Sequence, residues 1–353
     1  MIKSFFGKFS KDIGMDLGTA NVRVYVKDKG IVVHEPSVVA INMRTEQILA
    51  VGNEAKNMVG KTPGHIMTSR PLSGGVISDF EVAERMVKYF IDKVHEDEFS
   101  FVPRPRVVVT VPLGVTEVER KAVEDAIVAA GAREVFVVEE PVAAAIGARM
   151  SVEEPTGNMV VQLGAGNTQV AIISLEGIVS WRTSVIAGDE LTKNIMQYTR
   201  EVFGLLLGDR QAENIKIAVG SAQPLPEKIE FSMRGRDVVS GLPKEVMIDS
   251  EHVYRAISRS IATIVENIKA TLEVTPPEIV ADIHERGLVL SGGTALLRGI
   301  DQVIAAATGI PVRIVDDPLM CVVRGTGMLL DDLNLLARIA IPSTHEESNR
   351  KRR

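Results

Sequence analysis

The chain has 353 residues, 45% of them apolar and 24% charged, with a net charge of −6 at neutral pH. That length exceeds what one hydrophobic core supports and predicts two domains. The acidic balance gives no basis for nucleic acid as the main partner. A single cysteine, Cys321, rules out an internal disulfide framework and fits a reducing cytoplasm.

The N-terminal "MIKSFFGKF" places Ile2, Phe5, Phe6 and Phe9 at i, i+3, i+4 and i+7, with Lys3 and Lys8 off that stripe. It precedes the first predicted core strand, so it has little core to join. A short apolar-and-basic helix of this kind suits a membrane interface; the plainer reading folds it onto its own domain. No apolar run reaches the roughly 18 residues that a spanning helix needs. Lysines interrupt the segment, so it is not a signal peptide core.

"DLGTANVRV", from Asp16 to Val24, is a glycine-containing turn between two apolar strand runs. Glycine lets backbone N–H groups approach phosphate oxygens with no Cβ in the way. An Asp at the strand end can hold the waters of a Mg2+ ion. Further on, "EFSFVPRP" presents Phe99, Phe101 and Val102 in a predicted loop, a second membrane contact or ordinary packing.

"RPRVVVTVP" predicts a buried strand over Arg106–Val111. Thr116 and Glu119 form a capping box, and Ala122, Val123, Ala126, Ile127 and Ala130 follow at helical spacing until Gly131. "REVFVV" is the next strand, which makes a β-α-β unit of a parallel sheet. Glu139-Glu140-Pro141 closes that strand, with Pro141 suited to the first turn of a helix. Glu140 there has two readings: a carboxylate that positions an attacking water, or a solvated acid favoured by the helix dipole.

"QLGAGNTQV" at Gln162–Val170 repeats the first turn 146 positions later. Leu17, Gly18, Asn21 and Val24 recur as Leu163, Gly164, Asn167 and Val170. Two related turns in a two-domain α/β chain predict a duplicated domain with a nucleotide cleft between the copies. "AENIKIAVGSA" puts Glu213 and Lys216 on one helical face, as a surface ion pair or a ribose clamp. "SGGTALLRG" places Ser291, Gly292, Gly293 and Thr294 at a strand-to-helix turn, and a second β-α-β unit follows through "IDQVIAAATG" and "PVRIV". No G-x-x-x-x-G-K-[ST] loop occurs, and "GAGNTQ" lacks the last glycine of G-x-G-x-x-G, so P-loop and dinucleotide-binding readings fail. The tail "PSTHEESNRKRR" is polar and reads as loose.

Together these segments resemble the MreB family of bacterial actin-like cell-shape proteins, within the superfamily of actin, heat-shock chaperones and sugar kinases. The likeness runs from about Ile13 to Leu336 and includes "MDLGTANVRVYVKDKGIVVHEPSVVAI", "GAREVFVVEEPVAAAIGA" and "GTGMLL". The resemblance implies two actin-like (ribonuclease H-like) domains with four subdomains. It divides the chain into a membrane segment (1–12), domain I (13–145, insert about 32–72), domain II (146–336, insert about 183–245) and a tail (337–353). It implies ATP or ADP with Mg2+ in the cleft and self-assembly into double, antiparallel filaments. It also implies a cytoplasmic place at the inner membrane face, partnership with membrane proteins of the cell-wall elongation machinery, and a role in rod shape.

Carried over, the first phosphate loop is Asp16, Gly18, Thr19, Ala20 and Asn21, with Asp16 toward the metal. The second is Gln162, Gly164, Ala165, Gly166, Asn167 and Thr168. Glu140 and Asn167 fall at the positions that handle the attacking water. Glu213 and Lys216 match the ribose and adenine contacts, and Gly292 and Gly293 the adenosine turn. The family pattern at the second loop is D-I-G-G-G-T-T-E. Here Gln162 replaces the Asp, Ala165 a Gly, Asn167 a Thr and Gln169 the Glu. The expectation is a chain that binds nucleotide but hydrolyses it slowly or not at all. It leaves open a non-hydrolysing partner of an active paralogue. A sugar kinase would need a carboxylate base beyond Glu140, and a chaperone a substrate-binding domain after "GTGMLL".

Overall fold

A computed structural model describes residues 11–95 and 104–342. Ile2, Phe5, Phe6 and Phe9, the Phe99 and Phe101 loop and most of the polar tail lie outside the described residues. Among the described residues no helix is long and apolar enough to cross a membrane.

The chain divides into two compact units. One holds its described residues to Thr156, together with Ile173–Ile178 and those from Leu319 onward; the other holds Gly157–Ile172 and Val179–Pro318. Each is built on a five-stranded sheet, and the two sheets have one plan. In the first, the central strand Ile13–Leu17 pairs antiparallel with Asn21–Val26, which pairs antiparallel with Gly30–Pro36. On its other side it runs parallel to Arg106–Val111, which runs parallel to Glu134–Glu139. In the second, Asn158–Leu163 is central, with Thr168–Ser174 and Gly177–Ser184 on one side. Leu288–Ser291 and Val312–Ile314 follow on the other side, both parallel. The duplication expected from two short turns is therefore a duplication of whole sheets.

The first core is apolar strand faces covered by two helices. Phe80–His95 buries Val82, Met86, Val87, Phe90 and Ile91, one stripe at helical spacing, and Glu117–Ala129 buries Val123, Ala126 and Ile127. Full burial of such a side chain contributes roughly 1.5–3 kcal/mol. The capping box forms as expected: the Thr116 hydroxyl accepts from the Glu119 amide, and the Glu119 carboxylate accepts from the Thr116 amide. A small sheet, with Val39–Asn42 between Gln47–Val51 and Ile66–Ser69, adjoins the same unit.

The second core gathers Leu191 and Ile195 of the helix Gly188–Phe203, Ala212, Ile215 and Val219 of Asp209–Val219, and a long stripe from Ser250–Glu273. A three-stranded sheet of Leu205–Leu206, Glu230–Asp237 and Pro243–Asp249 belongs here. The sequence reading runs domain II to residue 336, whereas the helices Cys321–Asp331 and Leu333–Ile339 return to the first unit. Cys321 Sγ lies 3.2 Å from the Ala144 carbonyl, Lys27 Nζ donates to Leu330 O at 3.1 Å, and Ile341 N donates to Val137 O at 2.9 Å. The helix Cys321–Asp331 also buries Val322, Val323, Leu329 and Leu330, and no local pattern announces which unit covers them.

Candidate functional site

In the first unit the site starts at the hairpin turn Gly18-Thr19-Ala20, at the carboxyl end of the central strand. This is the edge where ligands sit in open parallel sheets. The turn is fixed by donors around it: Ser37 Oγ donates to Gly18 O at 2.6 Å, Ser37 N donates to Ala20 O at 3.0 Å, and Gly75 N donates to Thr19 Oγ1 at 2.8 Å. The turn oxygens are thus engaged by the protein. Glu139 ends a strand at the same edge, two strands away, a backbone separation of roughly 10 Å, and Glu140 follows it directly.

Glu140 opens the helix Glu140–Gly147 and is half-buried. Its neighbour Glu139 stands at the N-cap with no side-chain capping bond, and burial pushes its carboxyl above the ordinary range. Sequence reasoning passed over Glu139. A raised carboxyl pKa beside a candidate water-handling residue is a signal visible only once burial is known.

Asp16 is buried and faces Arg23 across the hairpin in direct register. Arg23 Nη1 donates to Asp16 Oδ2 at 2.8 Å, and Arg23 is itself only 8% exposed. Burial pushes the Asp16 carboxyl up, opposed by the Arg23 charge and hydrogen bond and more weakly by His34, the cross-strand neighbour of Arg23. Arg23 escaped the sequence reading because an arginine in an alternating strand reads as solvent-facing. The hairpin register was the signal that could have found it.

In the second unit the turn Gly164–Asn167 has the same geometry as the first. A Cβ added at Gly18 would stand 2.9 Å from Asn21 O, and one at Gly164 would stand 2.8 Å from Asn167 O. In both turns the backbone passes too close for any side chain. Ala165 is not among the described non-glycine residues with positive φ, so the family's glycine is replaced there without backbone strain.

The turn rests on the start of the helix Gly188–Phe203. Gly188 N donates to Gly164 O at 3.1 Å, Asp189 N to Ala165 O at 2.8 Å, and Thr294 Oγ1 to Gly164 O at 2.8 Å. Thr168 Oγ1 donates to Ile186 O at 2.8 Å. Asn167 and Gln169 are buried, and Gln169 Nε2 lies 3.3 Å from Asn167 Oδ1, so two of the replacing amides engage each other.

Lys216 ties this turn to the helix Asp209–Val219. Its ammonium donates to Gly188 O at 2.7 Å and Thr192 Oγ1 at 3.0 Å and pairs with Glu213 at 2.6 Å. The pair expected at i and i+3 is present, and Lys216 is the more buried partner. Gly292 has φ 89, and a Cβ there would run into Leu163 O; Gly292 N donates to Pro318 O at 2.9 Å. Only glycine fits where this turn crosses the central strand. Ser291, in register with Gln162, carries a fully buried hydroxyl with no hydrogen-bond partner among the described residues. The sequence placed it in the turn without giving it a role.

The structure thus joins Gly164, Ala165, Lys216 and Glu213 in one hydrogen-bonded frame, with Gln162 and Gly292 at the same sheet edge. Asp16, the first turn and Glu140 share the corresponding edge of the first unit. A divalent cation fits poorly. Mg2+ takes one or two carboxylates besides its phosphates and waters. Asp16 is committed to Arg23, Gln162 is neutral, and among the described residues no cluster of three metal-ligating side chains occurs.

The sequence profile of the MreB/Mbl protein family matches residues 10–338. The cell shape-determining protein Mbl of Bacillus cereus is 46% identical over 333 residues, 94% of this chain and 99% of that protein. The cell shape-determining protein MreB of Escherichia coli is 47% identical over 339 residues, 95% of this chain and 97% of that one. MreB5 of Spiroplasma citri, solved bound to ADP and to AMPPNP, superposes with TM-score 0.87 at 36% identity, covering 92% of this chain and 97% of its own. The fold is therefore the actin-like one of the MreB structures, and this chain is a member of the MreB/Mbl protein family.

Proposed function

We propose that this chain is a nucleotide-binding, actin-like cytoskeletal subunit. It polymerises into double, antiparallel filaments at the inner face of the cell membrane and there helps set rod shape by organising cell-wall synthesis. The observation that carries the reading is the paired turns: one backbone geometry built twice at the carboxyl edge of two like-ordered sheets. Relatives of similar length named for cell-shape determination and a nucleotide-bound MreB5 structure support it.

Each turn presents backbone amides to phosphate, while Glu213, Lys216, Gly292 and Gly293 take the nucleoside. Hydrolysis is slow. Gln162 offers no charge to order a water, and Asn167 has an amide where the family pattern has a hydroxyl. Glu140 is the remaining group to position the water. Ile2, Phe5, Phe6, Phe9, Phe99 and Phe101 are the membrane contacts. The mutually engaged amides of Asn167 and Gln169 also favour a second reading, a non-hydrolysing partner that co-assembles with an active paralogue.

Electron microscopy of the purified protein on anionic liposomes, with and without ATP, tests the proposal. Paired filaments on the vesicles are expected. Protein that stays monomeric and unbound under both conditions would refute self-assembly, and growth only as a mixed polymer with another family member would select the second reading.

A further inference from the structure

The first turn keeps its acid, yet the acid is not available. Asp16 and Arg23 form a buried cross-strand ion pair at 2.8 Å, both more than nine-tenths buried. The guanidinium lies beside the turn: Nη1 would be 3.9 Å from a Cβ at Gly18, and Asp16 Oδ1 3.7 Å from it. Arg23 Nε is a buried donor with no partner among the described residues. Moving a guanidinium from water into such a place is costly unless its hydrogens are taken up. One hydrogen is left over on a guanidinium whose Nη1 lies beside the turn.

We propose that Arg23 stands in for the divalent cation. It meets the charge of Asp16 that a cation would otherwise meet and offers its remaining Nε–H to a nucleotide phosphate oxygen. The chain then binds nucleoside di- and triphosphates without Mg2+. A guanidinium suits this role, being permanently charged, a planar multiple donor and a good partner for carboxylate and phosphate together. The inference rests on the nucleotide-binding reading above and concerns how the charge of the ligand is met. The second turn points the same way, since Gln162 and Gln169 occupy the positions of Asp16 and Arg23 in the repeat and carry no charge for a metal to satisfy.

Titration of the intact protein with ATP in excess Mg2+ and in excess EDTA decides it. The expected affinities agree within about threefold. Arg23→Met is expected to bind ATP at least tenfold more weakly in EDTA and to recover in Mg2+, because Asp16 is freed for the ion. Should that variant fail to fold with a lone buried carboxylate, Asp16→Asn combined with Arg23→Met keeps a neutral pair of similar size. It is expected to bind weakly in both buffers. A tenfold or greater loss of wild-type affinity in EDTA would overturn the role of Arg23 while leaving nucleotide binding intact. Absence of ATP binding in either buffer would remove both.

Discussion

The two hairpin turns are one backbone carrying two different chemistries. Asp16 and Arg23 face each other across the first; Gln162 and Gln169 occupy the same repeat positions in the second. Gly18 and Gly164 stand equally close to the carbonyl three residues on, and both turns lie at the carboxyl edge of a central strand. Backbone shape was kept in both copies, while charge was cancelled in one and removed from the other. Holding phosphate needs amides in a fixed arc; activating water needs placed charge and a hydroxyl. The comparison separates these two demands.

The largest expected effect breaks the charged pair. Asp16→Asn leaves Arg23 buried without its counter-charge and is expected to cost about 3–5 kcal/mol in chemical denaturation. Gln169→Leu, which removes a neutral amide contact at the position equivalent to Arg23, should cost only about 0.5–1.5 kcal/mol, and a loss equal to that of Asp16→Asn would end the claim that the two pairs differ in kind. Next come the turn glycines. Gly18→Ala and Gly164→Ala force a Cβ against a carbonyl oxygen, and each is expected to lose about 1–3 kcal/mol, by similar amounts. A loss at one site alone would contradict the shared geometry. Lys216→Met removes the ammonium that holds Gly188 O and Thr192, expected to cost about 1–3 kcal/mol in thermal unfolding.

The smallest effect is a pH slope. Burial raises the folded-state pKa of Glu139, so the folded protein holds that proton more tightly than the unfolded chain. Stability from this group is therefore present at low pH. It is lost as pH rises from the ordinary glutamate range through the raised value. Glu139→Gln should flatten that part of the stability profile, and an unchanged slope would show that the carboxyl is not perturbed.

Much of this was legible in the sequence because it is local. The capping box at Thr116 and Glu119, the strand Arg106–Val111, the stop at Gly131 and the ion pair of Glu213 with Lys216 follow from spacing alone. The duplication was legible because Leu17, Gly18, Asn21 and Val24 recur as Leu163, Gly164, Asn167 and Val170 where the backbone geometry repeats. What escaped depends on neighbours distant in sequence or on burial. Arg23 reads as a surface strand residue until the hairpin register sets it opposite a buried acid. Thr294 meets Gly164 across 130 residues, and the orphaned Ser291 hydroxyl and the raised Glu139 carboxyl exist only once the sheet edge is enclosed. The return of the Cys321–Asp331 helix to the first unit is likewise a long-range packing choice.

The most direct test of a site that holds phosphate but places water poorly is phosphate release from ATP-loaded protein assembled on anionic liposomes. The wild type should be compared with the Gln162→Asp, Asn167→Thr double variant at matched nucleotide occupancy. The account predicts slow release from the wild type and at least about a tenfold gain in the variant. Release from the unaltered protein as fast as from the variant would contradict it.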